Sequence, residues 1–113
     1  MHLLTKLGGA SPLCVIKDCG PEGKGVLSFP LEGTSVAVDM AVSPDVQRIV
    51  DHLNAFVIEA GGRIYLTKDR FTRAEDFRKM EPRLAQFFAL RDKWDPKRRF
   101  RSAQSVRIFG DAA

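Results

Sequence analysis

Ala60-Gly61-Gly62-Arg63-Ile64-Tyr65-Leu66-Thr67-Lys68-Asp69 is the stretch on which the reading of this chain turns. Ahead of it runs an apolar stripe, Val46, Ile49, Val50, Leu53, Phe56, Val57 and Ala60, whose spacing makes one face of a helix. The glycine pair stops that helix, because glycine reaches the left-handed conformation without a Cβ clash. Arg63 to Leu66 then reads as a short strand that carries Tyr65, and three residues later Lys68, to the start of another helical region. In an unbroken strand those two side chains point to opposite faces, so both reach one site only if the chain leaves the strand near Thr67. Taken without further context, the segment is a capped helix, a strand and a solvated Lys-Asp turn.

Upstream, Ser43-Pro44-Asp45 has the order of a helix start: a serine cap, proline at the first helical position and an acid in the first turn. The helix is therefore expected over 44–60. Before it, Ser35 to Val42 alternates with period two, Val36, Val38, Met40 and Val42 on one side and Ser35, Ala37, Asp39 and Ala41 on the other. That pattern predicts a half-buried strand whose valine and methionine side the helix covers. The second side is small, with one carboxylate, and leaves room for a flat ligand or a neighbouring domain. Leu13 to Lys17 is a short apolar strand, and Gly20 to Gly25 is a glycine-rich hairpin connection without the order of a phosphate-binding loop. Leu27-Ser28-Phe29-Pro30 is a short extended piece, and residues 1–12 form an irregular lead-in.

Downstream, Thr72-Arg73-Ala74-Glu75 reads as a capping box opening a short helix. Glu81-Pro82 ends that helix and begins another with Leu84, Phe87 and Phe88 inward, which closes at Trp94-Asp95-Pro96. Phe100 to Phe109 is expected to be mixed or extended. The order β-β-α-β followed by helices gives an α+β fold: a small antiparallel sheet with helices packed on one face.

The bulk composition sets limits. With 113 residues, 44% of them hydrophobic, the chain is one domain or part of one and can bury a core. No apolar run approaches the ~20 residues of a membrane span, and the first residues lack the apolar segment of a secretory signal, so the expected location is cytoplasmic. Cys14 and Cys19 are too few for a disulfide framework and lack partners at zinc-ligand spacing, so no metal site is expected; Cys14 reads as a small buried hydrophobe. His2 and His52 are the only histidines, and His52 reads as a surface or packing residue of the long helix. Arg91 to Arg101 holds six basic residues against two acidic ones and so accounts for the whole net charge of +4. Such a run suits a solvated surface, an acidic neighbouring domain or, less well, a phosphate or nucleic-acid partner.

The chain resembles FAD-linked oxidases of the vanillyl-alcohol oxidase type, nearest to the decaprenylphosphoryl-ribose oxidase-like enzymes. The resemblance rests on Val15-Ile16-Lys17, Gly20-Pro21, Leu27-Ser28-Phe29-Pro30, Gly33, Val38-Asp39, Glu59 to Asp69, Phe77, Pro82-Arg83, Asp95-Pro96, and Ser102 with Arg107. It implies that residues 13–113 are the C-terminal substrate, or cap, region of an FAD-dependent oxidoreductase that oxidises an alcohol or sugar-type hydroxyl. It further implies that Tyr65 and Lys68 lie beside the flavin and the substrate as catalytic and cofactor-binding residues. Lys17, Ser35 and Ala37 then match substrate-binding positions. Ser35 and Ala37 depart from the asparagine and cysteine that relatives can carry there, which removes a thiol. A lysine charge near the flavin N1/C2 carbonyl suits the negative charge that hydride transfer delivers, and tyrosine offers a rigid face with one hydroxyl.

No dinucleotide fingerprint and no flavin-attachment histidine motif occur in the chain. The FAD-binding domain is therefore expected on another part or subunit, with the present chain inactive alone and its open sheet edge inviting a homodimer. A stand-alone α+β binding or assembly module is the competing reading. A nucleic-acid binder using Trp94, Phe100 and the basic run is the weakest, since no recognised motif accompanies them.

Overall fold

A computed structural model describes Lys6 and residues 10–113. Two strands, β1 (Ala10–Cys19) and β2 (Gly33–Met40), pair antiparallel as a two-stranded sheet. Four helices follow: α1 (Val46–Glu59), α2 (Ala74–Met80), α3 (Leu84–Trp94) and α4 (Ala103–Phe109), with a 3-10 turn at Leu66–Lys68 between α1 and α2. The fold is thus α+β, as the alternation and helical stripes imply.

The end of α1 follows from its glycines. Gly61 takes φ 66°, its N–H donates to the Ile58 carbonyl at 3.0 Å, and Gly62 N–H donates to the Val57 carbonyl at 2.8 Å. These crossed bonds form a Schellman stop, which satisfies carbonyls the helix leaves orphaned.

Several local expectations are corrected. The helix begins at Val46, not at residue 44: Ser43 and Pro44 lead into a turn in which Val46 N–H donates to the Ser43 carbonyl at 3.1 Å, and Asp45 stands at the cap position. Arg63 to Leu66 is not a strand; the segment has no ladder partner, runs extended to Tyr65 and then coils into the 3-10 turn. Thr72 does not cap α2, whose cap position is Arg73; the threonine hydroxyl instead donates to Asp69 Oδ1 at 2.7 Å. The tail is not extended but ends in α4, opened by a reciprocal Ser102–Ser105 capping box and stopped by Gly110 at φ 77°. β1 already includes residues 10–12, and Lys6 is helical, within the expected irregular lead-in; the rest of that lead-in lies outside the described residues. Cys14 is half-buried rather than buried.

Phe77, Leu84 and Ile108 form the core, with Ile64, Leu66, Phe87 and Phe109 among the residues packed on it. Ile108 is fully buried. Phe109 meets Phe87 with ring centroids 4.9 Å apart and Phe88 edge-on at 5.8 Å, the tilted arrangements aromatic pairs prefer. On the valine side of β2, Val38 and Met40 are partly covered, whereas Val36 is half exposed. Among the described residues no helix is long and apolar enough to cross a membrane, and no group of three metal-ligating side chains comes together.

Candidate functional site

The hairpin register decides which side chains share a face. Lys17 pairs with Ser35 and Val15 with Ala37, and residues directly opposite in an antiparallel ladder point the same way. Lys17, Ser35 and Ala37, singled out from separate parts of the sequence, therefore stand on one face of the ribbon. Lys17 is exposed, while Ser35 and Ala37 are partly covered.

The second group lies at the 3-10 turn. Lys68 N–H donates to the Tyr65 carbonyl at 3.0 Å, so the chain leaves its extended path directly after Tyr65. The turn thus supplies the departure from a strand that Tyr65 and Lys68 need if they are to serve one site. Tyr65 is 45% exposed, and its ring packs on Phe29 at 5.0 Å with the planes tilted by 35°. Lys68 is exposed and makes no salt bridge among the described residues.

Its neighbour Asp69 does not pair with it. Asp69 Oδ1 accepts the backbone N–H groups of Phe71 and Thr72 at 3.3 and 3.0 Å and the Thr72 hydroxyl, while Oδ2 accepts Arg107 Nη2 at 2.8 Å. Arg107 also donates to the Thr72 carbonyl, and buried Asn54 donates to the Thr72 hydroxyl at 3.1 Å. Asp69 thereby ties the end of the 3-10 turn to α4 directly and to α1 through Thr72, and among the described residues no acid pairs with the Lys68 ammonium.

A second network anchors the hairpin connection. Glu81, 3% exposed, accepts Arg83 Nε at 2.8 Å and Nη2 at 2.9 Å. Arg83 also donates to the Gly25 and Ser28 carbonyls at 3.0 and 2.9 Å. Arg63, whose side chain is 8% exposed, donates to the Ser28 carbonyl at 3.1 Å and pairs with Glu22 at 2.8 Å. Burial raises the Glu81 carboxyl pKa, but the Arg83 hydrogen bonds and the Arg83 and Arg63 charges outweigh it and hold the group below its ordinary value.

His52 is exposed, with Nδ1 2.7 Å from the Arg48 carbonyl, and takes no part in either group. The basic run is partly spent internally: Arg91 pairs with Asp111 and Arg98 with Asp92. The sequence reading missed Phe29 as a neighbour of Tyr65 and Asp69 as a clamp. The Asp-x-x-Thr order at 69–72 carried a local signal for the clamp, whereas Phe29 and Arg107 lie 36 and 38 residues from their partners with no local pattern to reveal them.

No family model matches the chain. It is 36% identical over 105 residues to the decaprenylphosphoryl-β-D-ribose oxidase of Mycolicibacterium smegmatis, an alignment covering 93% of this chain and 23% of that protein. It is 32% identical over 111 residues to an uncharacterized protein in the mprA 5′ region of Streptomyces coelicolor, covering 95% of this chain and 30% of that one. The chain thus spans about a quarter to a third of the length of these curated relatives, and nearly all of it is similar to a stretch of an oxidase.

Proposed function

We propose that this chain is the C-terminal, substrate-capping portion of a cytoplasmic FAD-dependent oxidoreductase that oxidises an alcohol or sugar-type hydroxyl. The observation that carries the reading is the Tyr65–Lys68 turn within a chain that is 36% identical, over 93% of its length, to an enzyme named as an oxidase. The residues fit a flavin: an exposed tyrosine ring suits a flat heteroaromatic system, and an ammonium with no acidic partner among the described residues suits its carbonyl edge. FAD, when bound, supplies the acceptor for the hydride that leaves the substrate carbon.

In this reading the substrate hydroxyl also gives its proton to water or to a base on the flavin-bearing part, and a carbonyl product results. Lys68 holds a fixed positive charge where negative charge accumulates, an arrangement that speeds the chemical step because it needs no reorganisation. Tyr65 orients the reacting partners with its ring face and its hydroxyl. Lys17 and Ser35 offer polar contacts to substrate oxygens from the hairpin, and Ala37 leaves space beside them. The main FAD-binding residues lie on another domain or subunit, so the isolated chain does not turn over substrate.

The test is Lys68→Met in the protein assembled with its flavin-bearing part. Stopped-flow flavin reduction is expected to slow by about a hundred- to a thousandfold, the loss that follows removal of one preorganised charge or donor. A rate within a few-fold of the parent would leave Lys68 a solvated surface lysine and overturn the assignment of this site.

A further inference from the structure

The two groups of candidate residues sit on separate pieces of chain, and one structural device lies at their junction. Lys17 and Ser35 flank the 20–32 connection, and Arg63 lies two residues before Tyr65. Between them, Glu22, the Gly25 carbonyl and the Ser28 carbonyl all bind Arg63 or Arg83. Glu81 neutralises both guanidinium groups from beneath, with Arg63 Nη1 3.8 Å from its Oε2. Phe29 follows Ser28 directly, so the bonds on the Ser28 carbonyl fix the backbone from which that ring reaches Tyr65.

A tyrosine 45% exposed in an irregular segment has no regular secondary structure to hold its ring. Its only aromatic neighbour among the described residues is Phe29. Pairs of tilted rings at such a separation contribute beyond the area they bury.

We propose that Phe29 is a positioning residue for this site: anchored by the Glu22–Arg63–Glu81–Arg83 network, its ring sets the face that Tyr65 presents to a ligand. The proposal rests on the reading of Tyr65 as a site residue. Its physical content, that Phe29 and the network orient Tyr65, is a property of this chain and is tested without flavin or turnover.

Tyr65 is the one tyrosine in the chain, so 3-fluorotyrosine incorporation gives a single fluorine environment to follow by NMR. Phe29→Leu is expected to move that resonance by more than its linewidth towards the position of free fluorotyrosine. Glu22→Gln, which weakens the anchor at its more exposed end, moves it in the same direction by less. Phe87→Leu, which removes a core ring paired with Phe88 and Phe109 rather than with Tyr65, lowers the stability of the chain but leaves the resonance in place. Because loss of the Phe29 ring current by itself moves the signal in Phe29→Leu, an unmoved resonance in Glu22→Gln, which keeps the ring and weakens only its anchor, overturns the proposal, as does an equal shift in Phe87→Leu, which would mark a general loosening of the fold. Because no cofactor enters this measurement, a failed flavin-reduction test of Lys68 and a failed test of Phe29 are told apart.

Discussion

At the scale of single residues, the decisive feature is where each carboxylate spends its charge. Asp69 is committed to Arg107, Thr72 and two backbone N–H groups, so the adjacent Lys68 has no acidic partner among the described residues although the sequence sets the two side by side. Glu81 is committed to Arg83 and Arg63 in a nearly buried position, where removing one partner leaves an uncompensated charge. Its folded-state pKa lies below the ordinary 4.5. The unfolded chain therefore binds more protons than the folded one in that range, and stability rises with pH there. Unfolding free energy is expected to be fully present above about pH 4.5 and to decline as the pH falls through the lower folded value. Asp51 and Asp111 act in the same direction, each held down first by an arginine hydrogen bond, from Arg73 and Arg91, and Asp95 is held down by the Phe100 and Arg99 backbone N–H groups. Urea titrations across this range check it: Glu81→Gln should flatten part of the acid limb, and an unchanged slope would remove Glu81 from the account.

At the scale of elements, stops and starts that use only neighbouring residues were legible, and those that depend on distant partners were not. The Gly61-Gly62 stop of α1 is local, and it appears where the glycines stand. The strand expected at 63–66 failed because a strand needs a ladder partner, which composition alone cannot supply; without one, the backbone turned to a 3-10 hydrogen bond. The Thr72 cap failed because its hydroxyl oxygen, which a cap needs as an acceptor, takes the Asn54 amide N–H at 3.1 Å, while its proton goes to Asp69. Two substitutions measure the stops and starts that are present. Gly61→Ala has no steric neighbour to strike and loses only left-handed backbone freedom, a cost of about 1–2 kcal/mol. Ser102→Ala removes one half of the α4 capping box and should cost about 1 kcal/mol. Equilibrium denaturation reads both, and a neutral Gly61→Ala would mean that α1 ends by other means.

At the scale of the whole molecule, the helices hold a shared core while the hairpin remains open. The radius of gyration is 15.2 Å, against about 13 Å for a compact chain of this length. Ile16 and Val36, a register pair, are 60% and 51% exposed on one ribbon face, and Leu13 is 60% exposed. A two-stranded ribbon is marginal by itself, and its unpaired edges template further pairing. The isolated chain is therefore expected to self-associate, as a homodimer in the simplest case. Light scattering should show mass rising with concentration, and Ile16→Lys should suppress the rise; a strict monomer at high concentration would argue that the ribbon is stable uncovered. From the sequence alone came the α+β class, the long helix with its glycine stop and the two strands, because periodicity and glycine geometry are properties of short windows. Only the tertiary structure decided that Lys17 and Ser35 stand opposite each other, that Tyr65 rests on Phe29, that the 63–68 segment coils instead of pairing, and that Asp69 turns from Lys68 to Arg107. Each of those outcomes is a competition between partners dozens of residues apart in the chain, and it is settled by which of them the folded backbone brings within hydrogen-bonding or van der Waals reach.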